Sequence, residues 1–270
     1  MNWVIGFVCA IIVSAAAYWK RSLSLSGMIA AAVMGTVYFG AGSLFWFGIL
    51  LLFFITSSVF SRLKAEQKRE TEKSYAKSGR RDAGQVLANG GLGMVACIGN
   101  ALWPDPGWAL FFIGVMASVT ADTWATEWGG LSRKQPRSIL NGKPLAPGTS
   151  GGVSLLGSTA ALVGAAVIGG AAWLLIIWSG LTVYVSLPLL LWIGIGGVSG
   201  FAGAMIDSYL GATLQSMYRC SVCGRSVEVT RHCDEDTAPL RGWGWLNNDM
   251  VNMISSLAAG VIALTLGKWL

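Results

Sequence analysis

Eight apolar runs, each close to the length needed to cross a bilayer, leave this chain few ways to fold. A helix rises 1.5 Å per residue, so roughly 20 predominantly apolar residues span the hydrocarbon core. Runs at 2–19, 24–40, 43–60, 84–103, 107–127, 153–178, 183–206 and 250–267 approach or reach that length. Backbone amides cannot be left unpaired in hydrocarbon, so each run must close its own hydrogen bonds as a helix. The expected fold class is all-α: a polytopic transmembrane helical bundle of about eight spans, forming a single domain over 1–270. The count falls to seven if the short run at 24–40 is re-entrant. Charged residues make up only 12% of the chain and hydrophobic ones 54%. A soluble domain carries about twice that charged fraction. A soluble enzyme, a disordered chain and a disulfide-rich secreted domain are thereby excluded.

The positive charges order the loops. All Lys and Arg except Lys268 fall at Lys20–Arg21, between Arg62 and Arg81, between Arg133 and Lys143, and between Arg219 and Arg241. The turns at Gly40–Gly42, Pro104–Pro106 and Ser179–Thr182 carry none. Basic loops lie on the cytoplasmic side of a membrane protein. The expected arrangement is therefore a multi-pass cell-membrane protein with its N-terminus outside. Cytoplasmic loops then run over 61–82 (basic), 128–152 (rich in Gly and Ser) and 207–249 (bearing Cys and His). The first run reads as a retained span rather than a signal peptide. The mixed-sign stretch Arg62–Asp82 reads as a solvated helical extension of the third span. Glycines within the spans, among them Gly90, Gly93, Gly164, Gly169, Gly194, Gly200 and Gly203, read as close packing surfaces between helices. Cys9 and Cys97 read as small packing residues. No separate basic domain exists to grip nucleic acid.

Charged side chains in spans are costly and tend to be kept for function. Asp122 and Glu127 lie at the end of the fifth run, and Asp207 at the end of the seventh. Five residues turn a helix by about 500°, leaving Asp122 and Glu127 offset by about 140°. Both reach one site only if the helix ends there. Hard carboxylate oxygens suit Mg²⁺; the alternative is a helix cap or pairing with Arg133 or Arg137. The triplets Asp122-Thr123-Trp124 and Asp207-Ser208-Tyr209 echo one another, as do Asn89-Gly90-Gly91 and Asn247-Asn248-Asp249 at the openings of the fourth and eighth runs. Such echoes are a feature of internally repeated membrane proteins. The segment Pro147-Gly148-Thr149-Ser150-Gly151-Gly152-Val153-Ser154 runs straight into the sixth span. A Gly/Ser/Thr-rich approach to a helix N-terminus offers amides to phosphate, and Arg137 and Lys143 stand beside it in sequence. The alternative is a flexible loop with a Ser cap. Cys220-x-x-Cys223 and His232-Cys233 resemble the halves of a structural zinc site, the second half irregular. Reduced surface thiols are the other reading.

These segments also carry a resemblance. Gln85–Gly91, Ala121–Gly129, Pro147–Ser154, Cys220-x-x-Cys223 with His232, and Trp245–Asn252 occur in this order over nearly the whole chain. The pattern is similar to an integral-membrane family long known only as a domain of unknown function. That family includes the plastid phytyl-phosphate kinase of plants and animal transmembrane protein 19-type members. The resemblance implies a kinase that moves a phosphoryl group from a nucleoside triphosphate, CTP or ATP, to an isoprenoid monophosphate in the membrane. Asp122 and Glu127 would hold Mg²⁺, with Asp207 and Asp249 as further candidate ligands. Arg137, Lys143, the loop Gly148, Thr149, Ser150, Gly151, Gly152 and Ser154 would hold phosphates. Asn89, Asp207, Asn247, Asn248 and Asp249 would complete the acceptor site. The expected partners are the lipid phosphate and the nucleotide, with a second copy of the chain as a candidate homo-oligomer partner. The alternative functions are a transporter or flippase of an anionic lipid or small solute, and a scaffold that docks a partner through its Cys/His loop.

Overall fold

A computed structural model describes residues 1–63, 80–179 and 187–270. Among these residues eight helices are long and apolar enough to cross a membrane. They are α1 (Asn2–Trp19), α2 (Leu25–Val37), α3 (Leu44–Arg62), α4 (Ala83–Leu102), α5 (Pro106–Gly129), α6 (Leu155–Trp178), α7 (Leu189–Thr213) and α8 (Asn248–Trp269). The short second run is long and apolar enough to cross when counted from Leu25 to Gly42. A π-turn over Tyr38–Gly42 extends α2, and the Tyr38 hydroxyl donates to the Gly90 carbonyl at 2.8 Å. The loops 130–154 and 214–247 meet through Ser150 and Gln215, and we term the face on which they meet the loop face.

The sequence places the helix starts. Ser24, Ser43, Asp105, Ser154 and Asn247 each accept a backbone N–H of the first turn. Asp82 and Gln85 form a reciprocal capping box on α4. These caps satisfy amides that would otherwise be orphaned at a helix end.

Four boundaries differ from the sequence reading. The seventh span was expected over 183–206; α7 is Leu189–Thr213, so Asp207 lies inside the helix and not at its end. Asp207 does not break the helix because Ser255 of α8 donates to its carboxylate. Asn89 does not open α4, whose N-cap is Asp82, but sits two turns in. The sixth span begins at Leu155 rather than 153, since Gly152–Val153 pairs as a strand with Arg137–Ser138. The expected helical extension over Arg62–Asp82 holds for Arg62, the last residue of α3. Arg81 is not helical: it bridges the turn between α1 and α2, accepting from Ser24 N and donating to Ser22 O. Residues 64–79 of that stretch lie outside the described residues.

The helices group in two. α5 packs on α6, α7 and α8, and α7 packs on α6 and α8; the pair α1–α2 packs with α4 and the π-turn. Small residues set the close crossings among α5–α8. A Cβ on Gly200 would come within 2.7 Å of Ala117, and one on Gly203 within 2.2 Å of Ser118 Oγ. Backbones approach this closely only where side chains are small. Gly90, Gly93, Gly164 and Gly169 likewise abut neighbours, whereas Gly91 and Gly194 face open space. Cys97 of α4 is fully buried beside the π-turn.

Candidate functional site

Asp122 lies seven residues before the end of α5, and Asp207 six before the end of α7. At 1.5 Å per residue both carboxylates sit about 10 Å inside the loop-face ends of their helices. They lie within each other's electrostatic reach, and both also feel Glu228 from the Cys/His loop. Three acidic side chains thus converge from three segments. Asp207 is buried and accepts from Ser255 Oγ at 3.0 Å. Neither Asp122 nor Asp207 forms an ion pair among the described residues.

Glu228 was not singled out by the sequence. It is held by Gln215, just beyond the end of α7, whose Nε2 donates to Glu228 Oε1 at 2.8 Å. Gln215 Oε1 accepts from Ser150 Oγ at 3.0 Å. One amide therefore joins the glycine-rich loop to the Cys/His loop. The same junction is closed by Gly151, at φ +84°, where a Cβ would lie 2.4 Å from Ala212. Arg241 completes it by donating to the Gly211 carbonyl at 2.9 Å.

Glu127 turns the other way, as its rotation around α5 requires. It accepts from Ser61 Oγ of α3 at 2.5 Å, and its charge acts on Arg81. Burial lowers the Arg81 pKa from the ordinary arginine value, and Glu127 opposes that shift. Asp122 and Glu127 thus serve different neighbourhoods. Arg137 is exposed on the β-ribbon formed by β1 (Arg137–Ser138) and β2 (Gly152–Val153), and Lys143 is exposed in the connection between the two strands. The Arg137 guanidinium donates to the Gly142 carbonyl at 3.0 Å, and the Lys143 amide takes Asn141 Oδ1 at 3.1 Å. Gly148, Thr149 and Gly152 belong to the turn before α6, with Gly152 N donating to Thr149 O at 3.1 Å. Ser154 caps α6, accepting Gly157 N at 3.1 Å. Ser154→Ala is expected to cost about 1 kcal/mol, read as a lowered thermal midpoint in detergent. A larger loss would mean that Ser154 does more than cap.

At the start of α8, Asn247 is the N-cap, with Asn248 and Asp249 in the first turn. The residue that reaches across to α4 is Asn252, whose Nδ2 donates to Asn89 Oδ1 at 3.4 Å. Its own Oδ1 is buried with no hydrogen-bond partner among the described residues. Asn252 and Ser255 stand one turn apart on α8, so the chain Asn89–Asn252–Ser255–Asp207 crosses the bundle.

On the far side of Asn89 opens a cavity with about 640 Å³ of unfilled space, including the part open to its surroundings. Val13, Met34, Leu50 and Phe54 are among its walls, and Arg81, Gln85 and Asn89 give it polar groups.

A second cluster lies in the loop 214–247, which folds into short strands. β3 (Met217–Arg219) pairs with β4 (Ser226–Val227) and with β7 (Ala238–Arg241), and β5 (Arg231–His232) pairs with β6 (Glu235–Asp236). The ligand atoms of Cys220, Cys223, His232 and Cys233 lie within 4.8 Å of one another. The Cys223 amide and the His232 ring lower the Cys220 thiol to about 6.

Comparison with known proteins places the chain. It is 35% identical over 257 residues to Protein PGR of Arabidopsis thaliana, covering 89% of this chain and 87% of that protein. It is 27% identical over 246 residues to an uncharacterised membrane protein of Methanocaldococcus jannaschii, covering 91% and 86%. Protein VTE6, chloroplastic, also of Arabidopsis thaliana, is 23% identical over 254 residues, covering 92% of this chain and 66% of that protein. No solved structure matches. The family model described as integral membrane protein DUF92 matches residues 8–260, and the chain belongs to that family.

Proposed function

We propose that this protein transfers the γ-phosphoryl group of a nucleoside triphosphate, CTP or ATP, to an isoprenoid monophosphate, and that the loop face is cytoplasmic. The observation that carries this reading is the meeting of two unlike environments across one hydrogen bond. Asn89 bounds an apolar cavity on one side, and through Asn252 joins the three carboxylates on the other. A prenyl chain needs an apolar slot, and its phosphate needs a polar mouth. Arg81 suits that mouth, because a guanidinium binds phosphate oxygens through paired N–H groups. A soluble nucleotide would arrive at the exposed Arg137, Lys143 and glycine-rich loop.

The acidic cluster fits a hard divalent cation. Like charges this close are mutually unfavourable unless a cation lies among them, and the unpartnered Asn252 Oδ1 adds a neutral oxygen nearby. Asp122, Asp207 and Glu228 would hold Mg²⁺, which neutralises triphosphate charge when bound. In the transfer, an acceptor phosphate oxygen forms the new bond to the γ-phosphorus. The bond to the β,γ-bridging oxygen breaks, and the nucleoside diphosphate leaves with that electron pair. The acceptor oxygen is already ionised near neutral pH, so no general base is required and positioning dominates.

The test uses full-length protein in detergent with Mg²⁺, γ-labelled nucleotides and phytyl, geranylgeranyl and undecaprenyl monophosphates. A labelled lipid diphosphate is expected. Ala31→Trp, which narrows the cavity, is expected to cut turnover of the phytyl and geranylgeranyl substrates about tenfold while sparing a five-carbon prenyl phosphate. Absence of product with every donor, from protein shown to be folded, would refute the kinase. It would favour transport of an anionic lipid past the same polar groups.

A further inference from the structure

We propose that Cys220, Cys223, His232 and Cys233 bind one Zn²⁺ ion in a closed tetrahedral site, and that this ion holds Glu228 against Asp122 and Asp207. The metal site stands on its own geometry; the consequence for Glu228 rests on the phosphoryl-transfer reading.

Tetrahedral Zn–S and Zn–N bonds set neighbouring ligand atoms about 3.5–3.8 Å apart. Here Cys223 Sγ is 3.6 Å and Cys233 Sγ 3.2 Å from His232 Nδ1. No disulfide competes: the thiols of Cys220, Cys223 and Cys233 are free, and so are those of Cys9 and Cys97. Adjacent residues such as His232 and Cys233 are poor joint ligands in regular strand, where successive side chains point to opposite faces. The backbone removes that obstacle. Cys233 and Asp234 form the two-residue turn between β5 and β6, both in left-handed conformation at φ +54° and +63°. Side chains disfavour this region, and hairpins usually fill it with Asn-Gly. Keeping Cys and Asp there brings the Cys233 thiol back beside the His232 ring. The other half is a turn closed by Gly224 N on Cys220 O at 3.0 Å, with Gly224 at φ +70°. Both halves are thus shaped around one point. Three thiolates and an imidazole favour a soft or borderline ion and exclude Mg²⁺. With four protein ligands there is no open position for substrate, which is the mark of a structural zinc site.

The position of Glu228 follows from the chain order. It lies between the ligand pairs, five residues after Cys223 and four before His232. An ion that ties those two residues together closes this segment as a short loop. Glu228 is then presented to Gln215 and to the carboxylates in the membrane.

The experiment takes full-length protein purified without added metal. Elemental analysis is expected to find about one zinc per chain, and cobalt substitution to give intense thiolate-to-metal absorption. Cys223→Ser and Cys233→Ser should each lose the metal while eluting as folded protein. Limited trypsin digestion supplies a readout independent of turnover: Arg225 and Arg231 flank Glu228 and should be cut in the metal-free variants but protected in the zinc form. Zinc-free, folded protein with all four groups reactive, or a disulfide among them, would overturn the site. Equal zinc in wild type and both variants would do the same. Bound zinc whose removal leaves Arg225 and Arg231 protected would overturn its role in holding Glu228. None of these outcomes depends on whether the protein is a kinase.

Discussion

Asp207→Asn is expected to abolish lipid diphosphate formation, by about a hundredfold or more, while making the metal-free protein more stable. The two effects share one cause. Asp122, Asp207 and Glu228 repel one another, and Asp207 is buried, so an amide at this position removes a buried like charge. On the proposed phosphoryl-transfer reading, the same change removes a ligand for the cation that would neutralise the triphosphate, which is worth several kcal/mol in the transition state, and each 1.36 kcal/mol is a factor of about ten in rate. Mg²⁺ should raise the thermal midpoint of wild type by several degrees, as a ligand of the native state must, and should leave the variant unmoved. Asp122→Asn is expected to behave alike. Ser255→Ala, which removes one hydrogen bond to Asp207, should cost less than about tenfold. A variant that keeps its Mg²⁺ response and its activity would remove Asp207 from the site.

Gly114→Leu is expected to be the most damaging packing change, at about 3 kcal/mol or more, seen as loss of monodisperse protein. α5 is the most buried of the eight spans. A Cβ at Gly114 would lie 2.4 Å from the Ala259 carbonyl oxygen and 2.6 Å from Ala263 Cβ on α8. The first obstacle is backbone, so whole helices must separate, and overpacking of this kind exceeds the usual range of about 1–3 kcal/mol. Gly194 is the control. It is exposed with nothing within 4 Å of its Cβ position, and Gly194→Ala should change stability by less than about 1 kcal/mol in either direction. Equal behaviour of the two variants would show that the α5–α8 contact does not hold the bundle together.

The contrast between what the sequence discloses and what it conceals follows the solvent. Inside the membrane a charge is conspicuous, and Asp122 and Asp207 stand out against apolar runs. The opposed direction of Glu127 also follows from helical rotation alone. Glu228 and Gln215 were invisible for the converse reason. In a polar loop a Glu and a Gln look like any solvated residues, and only the folded path of β3 and β4 brings them to the helix ends. The overrun of α7 past 206 escaped hydropathy because its last turns are polar yet satisfied by α8 and the loop. Asn247 drew notice as an Asn-rich helix start, and it is a cap; Asn252, one turn deeper, makes the contact to Asn89. Spacing located the four Cys and His residues but could not reveal that a left-handed Cys233 turns two sequence neighbours toward one point.

The grouping of the helices has a consequence for how such a protein can diverge. Every residue around the apolar cavity falls between Ala10 and Gly90, whereas Asp122, Asp207 and Glu228 all follow Asp105. The first four helices shape the slot, and the last four carry the acidic centre, with the Asn89–Asn252 contact as the seam. Substitutions such as those at Ala31 or Leu50 can therefore re-size the slot for a longer or shorter hydrocarbon without moving a carboxylate. On the phosphoryl-transfer reading proposed above, lineages that share this scaffold could exchange one lipid tail for another by drift in the N-terminal half alone, under a chemistry held constant by the C-terminal half.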